Sequence, residues 1–214
     1  MVFNFLLIIH ILCGSTGMIC STGAIASKKG SRPHKSFGRY FFYAMTGIFL
    51  TALPMAFLKS NTFLFLIAIF SYYLAYKGWR FARRHTQHIS KSDWIVCLTM
   101  LLASIIMIGM GLCKFNPNNF ESIVLIVFGL LGASFSFNDA RLFYQGPISN
   151  TKRIAQHLGA MLGGTIAIYT AFLVTVIHYG PPIVLWLGPT LVFTPVIIYW
   201  TRKVELNKGL FKYK

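Results

Sequence analysis

Two histidines and one aspartate in this chain are of types, and in positions, that can hold a metal ion or heme. His34, Asp139 and His157 each lie at the edge of a long apolar segment, beside a cluster of basic residues. If the apolar segments pack side by side, we expect these three side chains to lie at a similar depth. A carboxylate beside two imidazoles holds a divalent metal or fixes a histidine tautomer. The alternative is a salt-bridged cluster that only anchors the loops.

A second set of metal-binding side chains is predicted near the opposite ends of the segments. Thioether and thiolate sulfur atoms favour Cu(I), and imidazole completes such sites. Methionines at helical spacing are also common in core packing without any metal. A histidine inside a span can hydrogen-bond a backbone carbonyl as part of helix packing. It can also act as a heme ligand or a proton relay. The residues in this second set are His10, Met107, Met110, Cys113 and His178.

The composition defines the elements that must position these side chains. Of 214 residues, 56% are hydrophobic and only 11% are charged, whereas soluble domains carry roughly twice that charged fraction. The apolar residues form seven blocks long enough to cross roughly 30 Å of hydrocarbon. The sequence therefore predicts an all-α bundle of about seven transmembrane helices and excludes a soluble, a disordered or a disulfide-rich secreted fold. The predicted spans are near 3–25, 38–58, 62–80, 94–114, 121–142, 156–178 and 183–200.

The basic residues predict the orientation of these spans. The chain has 20 Lys and Arg against 4 Asp and Glu, and all the cations except Lys59 and Lys114 lie in or beside alternate links and the tail. The positive-inside rule makes that side cytoplasmic, with the N-terminus outside and the C-terminus inside. We therefore expect a seven-span domain over 1–202 and a basic cytoplasmic tail over 203–214 in the cell (inner) membrane. The charge then indicates contact with anionic lipid head groups rather than nucleic acid.

Small and polar residues inside the spans indicate how the helices pack. His10, Cys13, Gly17 and Ser21 fall on one face of the first span, which should therefore face other helices. A GxxxG pattern at Gly159 and Gly163 permits either close approach of a neighbouring helix or a homodimer contact. No acidic residue lies near the middle of a span, which weakens an ion-coupled transporter interpretation.

Two stretches resemble a family of predicted bacterial multi-pass membrane proteins of unknown function. The family shows a histidine in its first span, then a Lys-Gly…His…Gly-Arg segment that enters the second span, and later a histidine motif that opens the sixth. The matching residues here are His10, Lys29-Gly30, His34, Gly38-Arg39, Asp139-Ala140-Arg141-Leu142 and Arg153-Ile154-Ala155-Gln156-His157-Leu158. The resemblance implies a membrane location and supports His10, His34, Arg39 and His157 as cofactor-binding candidates, but it implies no activity.

Three functions remain compatible with the sequence. The first, which we favour, is a redox or electron-transfer protein with heme b or a transition metal bound by histidine. The second is a carrier or channel for a small solute without a cofactor. The third is a non-catalytic membrane subunit that docks a partner through its basic loops. Because the chain shows no nucleophile–base–acid set and no phosphate-binding loop, a hydrolase is not expected, whereas a bound cofactor could still supply redox chemistry.

Overall fold

The protein folds into seven long helices, as a computed structural model of the chain describes for residues 1–83, 89–146 and 148–206. All seven are long and apolar enough to cross a membrane. The predicted all-α bundle of seven spans is therefore confirmed. In chain order the helices are α1 (Val2–Ala26), α2 (Arg32–Leu58), α3 (Thr62–Arg83), α4 (Lys91–Cys113), α5 (Phe120–Tyr144), α6 (Asn150–Val176) and α7 (Pro182–Leu206).

The helices differ from the predicted spans mainly at one end of the bundle, here called the basic end, where α1 joins α2, α3 joins α4, α5 joins α6 and α7 finishes. There α2 begins at Arg32 rather than at 38, and α6 begins at Asn150 rather than at 156. Helix α7 runs to Leu206, into the predicted tail, and residues 207–214 lie outside the described part. Hydropathy marks where side chains stop being apolar, whereas backbone hydrogen bonds continue until a cap such as Ser31 or Ser149 interrupts them.

Helix α3 lies at the centre of the bundle and packs against α2, α4, α5 and α6. One face of α3 joins α4, α5 and α7 in the larger core, where Phe70, Met100 and Met107 are buried. The opposite face of α3 joins α1, α2 and α6 in a smaller core around Phe41 and Ala75. Consequently α3 contributes to both cores, and the two halves of the bundle also meet where α6 packs against α7.

The prediction that one face of α1 packs against other helices is confirmed for the second half of the helix. Gly17, Cys20 and Ser21 are buried, and α1 packs against α2 and α6. The His10 imidazole lies in the same interface and hydrogen-bonds the Thr51 hydroxyl over 2.9 Å between Nδ1 and Oγ1. This face is therefore used for helix packing.

The two glycines of the GxxxG pattern on α6 face other helices of the same chain. A Cβ atom added at Gly159 would lie 3.8 Å from Ile197 and Thr201 of α7. One added at Gly163 would lie 3.3 Å from Leu74 of α3. Both glycines thus support close packing of α6 inside the bundle, and a homodimer would need a different surface.

The predicted orientation can be tested at Cys113, an exposed thiol at the end of α4 away from the basic end. With the N-terminus outside, a membrane-impermeant maleimide should label Cys113 in intact cells. Cys113→Ser should abolish that label, and Asn118→Cys, in the exposed loop that follows, should restore it. Labelling that requires permeabilised cells at both positions would reverse the orientation.

Candidate functional site

The structure brings His34 and His157 together at the basic end. His34 lies in the first turn of α2, directly after the Ser31 cap, and His157 lies in the second turn of α6. Their ring centroids are 6.4 Å apart and their planes are perpendicular, at 89°. Both side chains are half-buried. These two predicted site residues therefore form an imidazole pair between α2 and α6.

Backbone carbonyls orient both rings of the pair. His34 Nδ1 lies 2.9 Å from the carbonyl oxygen of Ala24, near the end of α1. His157 Nδ1 lies 2.8 Å from the carbonyl oxygen of Gly78 in α3. Since a carbonyl oxygen only accepts, the Nδ1 atom of each neutral ring carries the proton and donates it. Each Nε2 atom then keeps a lone pair, which is the form in which imidazole binds a metal.

The distance between the two rings is that of an edge-to-face contact between two aromatic rings, and it is also compatible with two imidazoles on one metal. If the two nitrogens lay on opposite sides of one ion, metal–nitrogen bonds of about 2.0 Å and a ring radius of about 1.1 Å would place the two centroids about 6.2 Å apart. The observed 6.4 Å agrees with that arrangement. The pair therefore offers two imidazoles in neighbouring positions.

Asp139, the third predicted member of this site, has different partners. Its Oδ2 atom accepts a hydrogen bond of 2.6 Å from the Tyr73 hydroxyl. Its Oδ1 atom lies 2.7 Å from the Lys77 ammonium. All three side chains are buried. The predicted grouping of Asp139 with the two histidines is thus replaced by a buried Tyr73–Lys77–Asp139 cluster between α3 and α5.

Lys77 corrects the charge assignment made from the sequence. The sequence pattern places it among the cations of the basic link after α3, but only 8% of it is exposed. Besides Asp139, its ammonium group faces the rings of Tyr73 and Phe135, each at 5.8 Å from the centroid. The spacing of Tyr73, Lys77 and Arg80 at i, i+4 and i+7 places them on one face of α3. That spacing is the sequence signal that could have indicated a polar helix face.

A second ion pair lies next to this cluster. The Arg80 guanidinium donates two hydrogen bonds to the Asp93 carboxylate, at 2.6 and 2.8 Å. Asp93 also closes the first turn of α4 in a capping box with Ser90. A small cavity of about 20 Å³ lies between the two ion pairs and is also lined by Tyr76 and Cys97. That space holds about one water molecule.

The second predicted set of ligands is not brought together. His10 lies on α1, which packs against α2 and α6, whereas Met107, Met110 and Cys113 lie on α4, which packs against α3 and α5. Met107 is fully buried in the larger core. His178 lies beyond the end of α6 and is exposed. Within residues 1–83, 89–146 and 148–206, no three His, Cys, Asp or Glu side chains meet where they could share a metal ion.

The remaining candidates and the comparisons add little to this site. Arg39 is exposed on α2, five residues after His34. His85 and His88, in the basic link after α3, lie outside the described residues.

Comparisons of the chain with protein-family models, with curated proteins and with solved structures find no match.

Proposed function

We propose that the protein is a membrane metalloprotein in which His34 and His157 bind a redox-active centre, either a heme iron or a single transition-metal ion. The observation that carries this proposal is the perpendicular imidazole pair with its 6.4 Å separation. The role that follows is electron transfer, since the protein supplies ligands and orientation while the bound centre supplies the chemistry.

The hydrogen bonds around the pair support this function. In metal sites the second nitrogen of a ligating histidine usually donates to a carbonyl or carboxylate, which fixes the tautomer and the ring orientation. Both His34 and His157 make such a bond, to Ala24 and Gly78 respectively. The two acceptors belong to α1 and α3, so four helices hold the pair. Arg39, which is exposed on α2 five residues after His34, is a proposed partner for an anionic substituent such as a heme propionate.

The proposed setting is the cell (inner) membrane, with the basic end in the cytoplasm. Exposed cations at that end include Lys28, Lys29, Arg32 and Lys35. Juxtamembrane cations attract anionic lipid head groups by about 1 kcal/mol each. The pair would then face the cytoplasmic side, where soluble electron donors are available.

The test is a reduced-minus-oxidised absorption spectrum of the purified protein, with elemental analysis of the same sample. We expect one heme or one metal ion per chain. His34→Ala and His157→Ala should each lower occupancy by more than about tenfold, since loss of an outer partner alone costs about 10–100-fold in affinity. His10→Ala and His178→Ala are matched controls and should retain the centre.

Full occupancy in both site variants would refute the proposed ligands. A colourless protein that contains no metal, even after reconstitution with heme and with iron, copper or zinc salts, would refute the function. It would leave a small-solute carrier as the second candidate. One observation favours that candidate: a polar groove of about 270 Å³ lies at the end of the bundle opposite the basic end, lined by Lys59, Asn61, Lys114 and Asn119.

A further inference from the structure

We propose that the polar groove opposite the basic end binds a small acidic amino acid, which is a solute with two carboxylates and one ammonium group. Lys59 and Lys114 hold the carboxylates, and Glu121 holds the ammonium group; all three side chains line the groove. The groove lies at the end of the bundle away from His34 and His157. This inference therefore does not rest on the proposed function.

The groove has the size of a site for a small solute. Its volume is about 270 Å³, close to the lower end of the roughly 300–1,000 Å³ range of small-molecule sites. Polar residues of the α2–α3 link and the α4–α5 link line it, together with the apolar side chains of Phe63, Met110 and Leu125. This combination suits a short carbon chain that carries charged groups.

Both cationic side chains in the links of this end line the groove. Of the 20 Lys and Arg residues, only Lys59 and Lys114 lie in these links, and both are exposed. The Lys59 ammonium lies 4.9 Å from the centre of the Phe3 ring of α1, a cation–π contact that helps to position it. Neither lysine forms an ion pair with a carboxylate in the part of the chain that the structure describes. Two such cations in one groove attract a ligand with two negative groups.

Two asparagines add hydrogen-bond donors to the groove. Asn61 Oδ1 accepts a hydrogen bond of 2.9 Å from the backbone N–H of Leu64. Asn119 Oδ1 accepts one of 3.2 Å from the backbone N–H of Glu121. Because the oxygen of each amide caps a helix, the amide nitrogen is the group that each side chain has left to donate. Such donors bind carboxylate oxygens, so they add to the preference for an anion.

Glu121 gives the groove its selectivity for an amino group. It is the only acidic residue among the described lining residues, and its carboxylate forms an ion pair with neither lysine there. The lining thus carries two ammonium groups and one carboxylate, which leaves one net positive charge. An acidic amino acid has the opposite set of charges and matches the lining group by group. A plain dicarboxylate has no group that attracts Glu121, and this difference favours the amino acid.

The test is calorimetric titration of the full-length protein, purified in detergent micelles, with L-glutamate and with glutarate, which lacks the amino group. We expect one saturable glutamate site per chain and weaker binding of glutarate. Lys59→Gln and Lys114→Gln should each weaken glutamate binding by about ten- to a hundredfold, the factor expected for a hydrogen bond to a charged group. Lys152→Gln, at an exposed lysine of α6 near the basic end, is the matched control and should leave binding unchanged.

Glu121→Gln separates recognition of the amino group from attraction of any anion. Loss of this carboxylate should weaken glutamate binding and strengthen glutarate binding, so that the preference for glutamate disappears. Opposite shifts for the two ligands cannot come from a general loss of structure. Glu121 is exposed in the first turn of α5, so the variant should fold, and far-ultraviolet circular dichroism checks that it does.

Ser60 gives an independent readout from the wall of the groove. It is a lining residue, and its φ angle of 51° is a left-handed conformation that glycine adopts at the lowest cost. A serine here is explained if its hydroxyl takes part in binding. Ser60→Gly should raise the midpoint of thermal unfolding but weaken glutamate binding by about two- to tenfold. Ser60→Ala should weaken binding equally without the gain in stability.

Failure of this inference is distinguishable from failure of the proposed function. It is overturned if glutamate shows no saturable binding, if glutarate binds as tightly as glutamate, or if both lysine variants bind glutamate normally. Metal and heme content are measured on the same sample. If glutamate binds as expected and no centre is found, the proposed function fails while this inference stands.

Discussion

Replacing Asp139 with alanine should destabilise the bundle by about 3–5 kcal/mol, the usual cost of removing one partner of a buried ion pair. The Lys77 ammonium would remain, 8% exposed, with aromatic rings as its other neighbours. The Tyr73 hydroxyl would also lose its acceptor. The loss of stability therefore comes from leaving the Lys77 charge and the Tyr73 donor without partners in an apolar interior. It does not measure the strength of the Lys77–Asp139 pair itself.

The double variant Lys77→Met/Asp139→Leu separates these two explanations. It removes both charges and puts apolar side chains in their place, and replacing a buried ion pair with apolar side chains is often neutral or stabilising by about 1–4 kcal/mol. We expect it to recover most of the stability that Asp139→Ala loses, because the Tyr73 hydroxyl is still left without its acceptor and Leu is larger than Asp. The measurement is the free energy of unfolding in mixed micelles as the fraction of denaturing detergent rises, followed by far-ultraviolet circular dichroism.

Lys152→Ala is the matched control, because Lys152 is exposed on α6 and surface substitutions usually change stability by less than about 0.5 kcal/mol. A loss in the double variant as large as that in Asp139→Ala would show that the pair itself stabilises the fold.

The sequence predicts the depth of a side chain in the membrane much better than its direction around the helix. His34 and His157 were both placed near the basic edge, and the structure does bring them together. Asp139 was placed at the same depth, but it lies on the α5 face that meets Tyr73 and Lys77. Depth follows from counting residues along a span, whereas the direction depends on which helices are neighbours.

The second predicted set of ligands shows the same limit in a stronger form. His10 and Met110 were grouped because both lie towards the same end of the bundle. Whether they meet depends on the arrangement of helices, and α1 lies against α2 and α6 rather than against α4. Lys77 shows a related limit of the sequence. A lysine one or two turns from a helix end is assigned to the basic loop unless its buried partner is known.

Substituting Gly78 with alanine should destabilise the protein by about 1–3 kcal/mol, the typical cost of overpacking, and should also weaken binding of the centre. A Cβ atom at Gly78 would lie 2.7 Å from both Cγ and Sδ of Met161 and 3.1 Å from the Met161 backbone nitrogen. The side chain of Met161 can bend away, but its backbone cannot move unless α6 shifts. That shift would lengthen the hydrogen bond between His157 and the Gly78 carbonyl.

Gly109→Ala is the matched control, because a Cβ atom there meets nothing within 4 Å. Alanine is favoured over glycine inside a helix by about 0.8–1.0 kcal/mol, so this variant should be neutral or slightly stabilised and should keep the centre. The measurements are unfolding in mixed micelles and metal or heme content. A Gly78→Ala protein that matches Gly109→Ala in both would contradict the close α3–α6 contact. If it lost stability but kept full occupancy, the contact would stand, while the carbonyl of Gly78 would not orient a ligand.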